Sequence, residues 1–169
     1  IAVAFGCPFE GEVDLKQLLN TAQRLAHAGP VELALADTIG VAVPTQVREA
    51  FTQLKDQLSG IPLRAHFHDT RNTGIANAYA SLLAGVSVLD ASIGGIGGCP
   101  FAPNASGNIA TEDLVYMLNR GGITHGVELS KLLRIASWLQ DVLAKPLPSM
   151  MLKAGVFPPF TQQVRKEHE

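Results

Sequence analysis

The feature that most constrains the fold of this chain is a repeated change of hydrophobic period. Four short apolar runs, residues 1–5 (IAVAF), 31–36 (VELALA), 63–68 (LRAHFH) and 86–91 (VSVLDA), alternate with longer segments whose apolar residues recur at three and four. Near-continuous apolar runs are what strands covered on both faces look like, and the longer repeat is that of amphipathic helices. Alternation of the two predicts consecutive βα units on a parallel sheet. Strand starts near residues 1, 31, 62 and 86 repeat at solenoid-like spacing, but the units share no side-chain consensus, which argues against a solenoid.

The helical segments carry their own punctuation. Asp14 can cap a helix running to about His27, with Leu15, Leu18, Leu19, Ala22 and Leu25 on one face. Pro44 sits in the first turn of a second helix that buries Val47, Ala50, Phe51 and Leu54. Residues 72–85 form a third helix ending at Gly85, and residues 111–122 a fourth ending at Gly121 and Gly122. Residues 128–144 read as one more amphipathic helix, and 145–169 as an irregular, Pro-rich tail. The expected architecture is α/β: one domain over 1–169 of four consecutive βα units plus a carboxyl-terminal helix. At 169 residues and 47% hydrophobic content, the chain can bury a core of that size. It opens directly on an apolar run without Met, as a chain entered mid-fold would.

Charge narrows the partners. A formal net charge of −2 and no cluster of Lys or Arg leave no footprint for nucleic acid or an anionic membrane. No run of 18 or more apolar residues is present and the start is not a signal or transit peptide, so the chain reads as soluble, with a small-molecule partner. Cys7 and Cys99, each followed by Pro-Phe, are sparse enough to read as free thiols.

In parallel α/β folds, reacting groups gather where strands end. That rule selects residues 7–11 (CPFEG), 37–40 (DTIG), 66–70 (HFHDT) and the glycine loop 92–108 (SIGGIGGCPFAPNASGN). His66 and His68 lie two apart on a strand, so both imidazoles point to one side and Phe67 to the other. That spacing suits two ligands of one metal ion, with Asp69 able to orient them, although paired histidines also occur as satisfied core residues. Asp37 ends its strand either as a cap of the next turn or as a carboxylate facing the histidines. The glycine loop lacks a dinucleotide fingerprint and a Walker lysine, which leaves mobility as its purpose. Asn108 can cap the following helix, and Glu112 suits a first turn.

The motifs HFHDT, DTIG and above all SIGGIGGCPFAPNASGNIATEDLVYML resemble the carboxyl-terminal half of 3-hydroxy-3-methylglutaryl-CoA lyases, members of the DRE-TIM metallolyases, over about residues 1–143. The resemblance implies half of a TIM (β/α)8 barrel and a retro-Claisen cleavage of 3-hydroxy-3-methylglutaryl-CoA to acetyl-CoA and acetoacetate, as in leucine degradation and ketone-body metabolism. It implies His66, His68 and Asn108 as ligands of Mg²⁺ or Mn²⁺, Cys99 as the catalytic cysteine on a lid, and Asp37 near the substrate. His66 is also implied in proton transfer, and Glu112 in support of the loop. The implied setting is cytoplasmic in a bacterium or the mitochondrial matrix in a eukaryote. Condensing synthases of acetyl-CoA with 2-oxo acids share the His-x-His strand but not the cysteine loop, and are the alternative. The family's Arg-Asp-Gly strand motif is absent from this sequence, and a full barrel takes about 250 residues. A half-barrel would leave its inner face open, so the expected partners are an acyl-CoA and either a second copy or a complementing amino-terminal half; a non-catalytic, self-associating half-barrel is the other possibility.

Overall fold

In the structure, a computed structural model that describes residues 1–98 and 107–158, the elements follow the expected alternation with one strand fewer. The chain divides into two compact units, residues 1–91 with 97–109 and residues 92–96 with 110–169.

In the first unit, a small antiparallel hairpin of β1 (Gly6–Cys7) and β2 (Gly11–Glu12) precedes α1 (Leu15–Ala26). Then come β3 (Leu33–Asp37), α2 (Pro44–Gln57), β4 (Leu63–Phe67), α3 (Gly74–Leu83) and β5 (Val88–Asp90). The sheet is parallel, in the order β3-β4-β5. The expectation of four βα units is therefore corrected to three parallel strands, because residues 1–5 form no strand. They do lie along β3: Ala36 donates to the Ile1 carbonyl at 2.9 Å and Ala4 to the Ala36 carbonyl at 3.0 Å. Between them, Val3 turns to φ 49° and donates to Thr38 Oγ1 at 2.9 Å. A β-branched residue in the left-handed region breaks the ladder there.

Burial alternates along β3 and β4. Leu33, Leu35, Leu63, Ala65 and Phe67 are buried, as are Val47, Ala50, Phe51 and Leu54 of α2. The other face carries half-buried Ala34, Ala36, Arg64 and His66, joined by Asp90 of β5. In place of the open apolar face expected of a half-barrel, this one carries small and charged side chains. Asp14 Oδ1 accepts from Lys16 N–H at 2.7 Å at the start of α1, whose Leu18, Leu19 and Ala22 are buried while Leu25 is exposed rather than buried. Pro44 opens α2, and Gly85 follows the Ala84 cap of α3 at φ 90°.

The second unit comprises a 3₁₀ turn (Ile93–Gly95), α4 (Thr111–Arg120), α5 (Leu129–Leu143) and α6 (Met150–Ala154). The tail read as irregular thus contains a short helix. Its free amides find a distant acceptor: the Asp113 carboxylate takes Met150 N–H at 2.9 Å, Met151 N–H at 2.8 Å and Ser149 Oγ–H at 3.1 Å. Beside it in sequence, Glu112 is fully buried, with both carboxylate oxygens on Gly94 N–H at 2.8 and 3.0 Å. Gly94 has φ 69°, and a Cβ there would collide with Leu147. Burial raises the Glu112 pKa, against the opposing pull of the amides.

Two predictions follow from these positions. The raised Glu112 pKa makes its protonated form the better-fitting one. Its contribution to stability is complete below the ordinary carboxylate value of about 4.3 and declines as pH rises through the raised native value. In urea titrations, the stability lost on Glu112→Gln should be largest at acidic pH and shrink toward neutrality; a cost that grows with pH contradicts this. At Gly74, a Cβ would collide with Ile109 Cγ2 and sit 2.9 Å from Asp69 Oδ1. Gly74→Ala should cost about 1–3 kcal/mol by overpacking, read as a lower urea midpoint at unchanged slope.

Candidate active site

The carboxyl end of β4 carries the histidine pair. The His66 and His68 rings lie on the same side, with centroids 5.3 Å apart and planes inclined at 50°, while Phe67 is fully buried on the other side. His66 is half-buried and His68 is 5% exposed. The chain returns to this strand end at residues 107–109. Asp69 N–H donates to the Gly107 carbonyl at 3.0 Å, Ile109 N–H donates to the Phe67 carbonyl at 3.2 Å, and Asn108 forms an antiparallel bridge with His68. Two glycines permit this approach. A Cβ at Gly74 would meet Ile109, and one at Gly97, at φ 116°, would meet the Asn108 amide nitrogen. The structure therefore brings His66, His68 and Asn108 to one strand end.

Their chemistry suits a cation. The buried His68 Nδ1 has no hydrogen-bond partner among the described residues, an arrangement that is costly unless something else supplies one. Burial, and then the neighbouring His66, lower the His68 pKa, so the ring stays neutral and keeps a lone pair. Two imidazoles and a carboxamide oxygen are a fitting partial shell for a hard or borderline divalent ion, with positions left for water and substrate oxygens. No group of three or more His, Cys, Asp and Glu able to hold a metal occurs among the described residues.

Asp37 is not brought to the histidines. In register it pairs with Phe67, so it shares the buried face and not that of His66. Its oxygens accept from Val41 N–H at 2.9 Å and Ala42 N–H at 3.0 Å, which makes it the turn cap, and burial raises its pKa. Asp69 Oδ1 accepts from Gly74 N–H at 2.8 Å at the start of α3. Glu112 holds Gly94, near the start of the glycine loop. Cys7 is a free thiol, and Cys99 lies outside the described residues.

The residue that sequence reasoning missed is Asp90. It stands opposite His66 in the β4–β5 register, with Oδ2 3.4 Å from His66 Nδ1 and Oδ1 2.7 Å from Arg64 Nη1. The signal was available: VLDA ends a strand in an acid, as LALAD does.

Comparisons with known proteins give the family. The HMGL-like family model matches residues 1–139. The chain is 46% identical over 159 residues to an (R)-citramalyl-CoA lyase of Chloroflexus aurantiacus, covering 94% of this chain and 50% of that protein. It is 44% identical over 153 residues to a hydroxymethylglutaryl-CoA lyase of Bacillus subtilis, covering 90% and 51%. A solved HMG-CoA lyase from Acinetobacter baumannii, in complex with coenzyme A and 3-methylmalate, superposes with a TM-score of 0.88 at 39% identity, over 93% of this chain and 52% of that one. The chain spans about half the length of these relatives. With the His-x-His strand end, the Asn108 return and a family match over most of the sequence, this chain belongs to the HMGL-like family.

Proposed function

We propose that the chain carries the histidine half of the active site of a carbon–carbon lyase acting on 3-hydroxyacyl-CoA thioesters, with 3-hydroxy-3-methylglutaryl-CoA as substrate. The observation that carries this reading is the His66–His68 pair with Asn108 bridged to it at a parallel strand end. The 46% identity to a citramalyl-CoA lyase favours a second reading, in which the acyl group is citramalyl.

His66, His68 and Asn108 would hold a divalent ion such as Mg²⁺ or Mn²⁺. When bound, such an ion polarises substrate hydroxyl and acyl oxygens and lowers the hydroxyl pKa. In the cleavage, the 3-hydroxyl loses its proton and its oxygen becomes the carbonyl of acetoacetate. The C2–C3 bond breaks, its electron pair passes to the thioester as the acetyl-CoA enolate, and the enolate carbon takes a proton. Cys99 is the donor we assign, since a thiol lies within a couple of pKa units of neutrality. Asp37, tied to two amides on the other face of the sheet, does not accept the hydroxyl proton; the half-buried side of His66 leaves solvent to do so. His68 stays unprotonated, and Glu112 steadies the turn that leads into the Cys99 loop through Gly94.

The test is release of acetyl-CoA from 3-hydroxy-3-methylglutaryl-CoA and from citramalyl-CoA, in the presence of Mg²⁺ or Mn²⁺, by the chain combined with a complementing amino-terminal half-barrel. Release from the first supports the main reading, release from the second alone shifts the substrate, and release from neither overturns the lyase assignment. Cys99→Ala should lower turnover by about 10²- to 10⁴-fold, the range for a lost proton donor, with Mn²⁺ affinity unchanged. His68→Ala should weaken Mn²⁺ binding by titration calorimetry. Binding should also fall at pH values below the ordinary imidazole value of about 6.5, where His68, its pKa lowered by burial, takes up a proton and loses its donor lone pair.

A further inference from the structure

On the half-buried face of β4, a carboxylate is held where it can act on His66. Arg64 lies two residues before His66 and so shares its face. Its Nη2 bonds Glu32 Oε1 at 2.6 Å and its Nη1 bonds Asp90 Oδ1 at 2.7 Å. Asp90 belongs to the next strand, directly opposite His66, and its second oxygen faces His66 Nδ1 at 3.4 Å. The side chains of all four residues are about one-third exposed, so the ion pairs contribute little to stability by themselves. They do fix the carboxylate: with Oδ1 on the guanidinium, Oδ2 is turned to the imidazole.

We propose that Asp90, held by Arg64, is a positioning residue that keeps His66 protonated on Nδ1 and leaves the Nε2 lone pair for the ion. The idea rests on the reading of His66 as a ligand. A neutral imidazole carries one N–H, and a carboxylate facing one nitrogen draws the hydrogen there, because an anionic oxygen can only accept. Histidines that bind metals commonly give their second nitrogen to such a carboxylate, which sets the tautomer and the ring orientation. A separation of 3.4 Å is longer than a formed N–H···O bond. Bonds of this kind are often long in an unloaded site and tighten in the complex. Asp37 does not substitute, since both its oxygens hold the Val41 and Ala42 amides on the other face.

The test reads the imidazole itself, in metal-free protein labelled with ¹⁵N and ¹³C at histidine, above the pH at which the rings titrate. Wild-type His66 should give the chemical-shift pattern of the Nδ1–H tautomer. Asp90→Ala should give a mixture or the Nε2–H form, while His68 signals and the unfolding midpoint stay close to wild type. Arg64→Gln, which keeps Asp90 but frees it to rotate, should give an intermediate pattern, and it serves as the readout should Asp90→Ala not fold. In parallel, Mn²⁺ affinity should fall about 10- to 100-fold in Asp90→Ala, as for lost outer partners of metal ligands. A wild-type His66 that is not predominantly Nδ1–H, or one whose tautomer is indifferent to both substitutions, overturns the proposal. A tautomer shift in a protein that binds no Mn²⁺ leaves Asp90 as the positioning residue and overturns the ligand reading instead.

Discussion

The register of three parallel strands decides which side chains of this protein can meet. Residues opposite each other in a sheet point the same way, and successive residues alternate. Because Ala36 pairs with His66 and His66 with Asp90, the histidine and this aspartate share a face; because Asp37 pairs with Phe67, that aspartate takes the other. A slip of one residue between β4 and its neighbours would exchange the two acids. The apolar set Leu33, Leu35, Leu63, Ala65 and Phe67 resists the slip, since it would move from burial onto the charged face.

The second constraint is how closely residues 107–109 approach β4. Main-chain bonds at Asp69 and Ile109 fix the segment, and the missing side chains at Gly74 and Gly97 make room for it. Around it, several acids serve the backbone. Asp37 closes the turn after β3, Asp69 starts α3, Glu112 holds the turn at Gly94, and Asp113 caps α6. Each is placed where free amides would otherwise lie unsatisfied, and the raised pKa values of Asp37 and Glu112 reflect the burial this entails. Asp90, by contrast, faces the side chains of Arg64 and His66.

What could be read in the sequence follows from this division between local and distant causes. The helix starts at Asp14 and Pro44 and the stops at Gly85 and Gly121 were legible, because caps act within a few residues. Helix α6 was not, since its amides are satisfied by Asp113 from 37 and 38 positions away. Residues 1–5 have the composition of a strand, but composition reports burial and says nothing of whether a Val3 in the left-handed region will interrupt pairing. The His-x-His pair was legible from period two alone, and Asn108 from the family resemblance. Choosing between Asp37 and Asp90 required the register, which a single strand's pattern does not contain.

The same face bears on what can cover this sheet. Hydrophobic burial drives association in proportion to the apolar area removed from water. Here the half-buried face offers Ala34, Ala36 and the network of Glu32, Arg64, Asp90 and His66, and the buried Arg64 Nε has no partner among the described residues. A dry, apolar surface laid on it would strip water from two carboxylates and a guanidinium, and desolvation of such groups can exceed what their mutual attraction returns. A surface that complements this face must therefore bring polar groups of its own, including an acceptor for Arg64 Nε, or leave room for water. That requirement sets the sheet apart from a core cut in half: this face is charged and polar, and the apolar contribution to stability lies on the side where Phe51, Leu54 and Phe67 are buried.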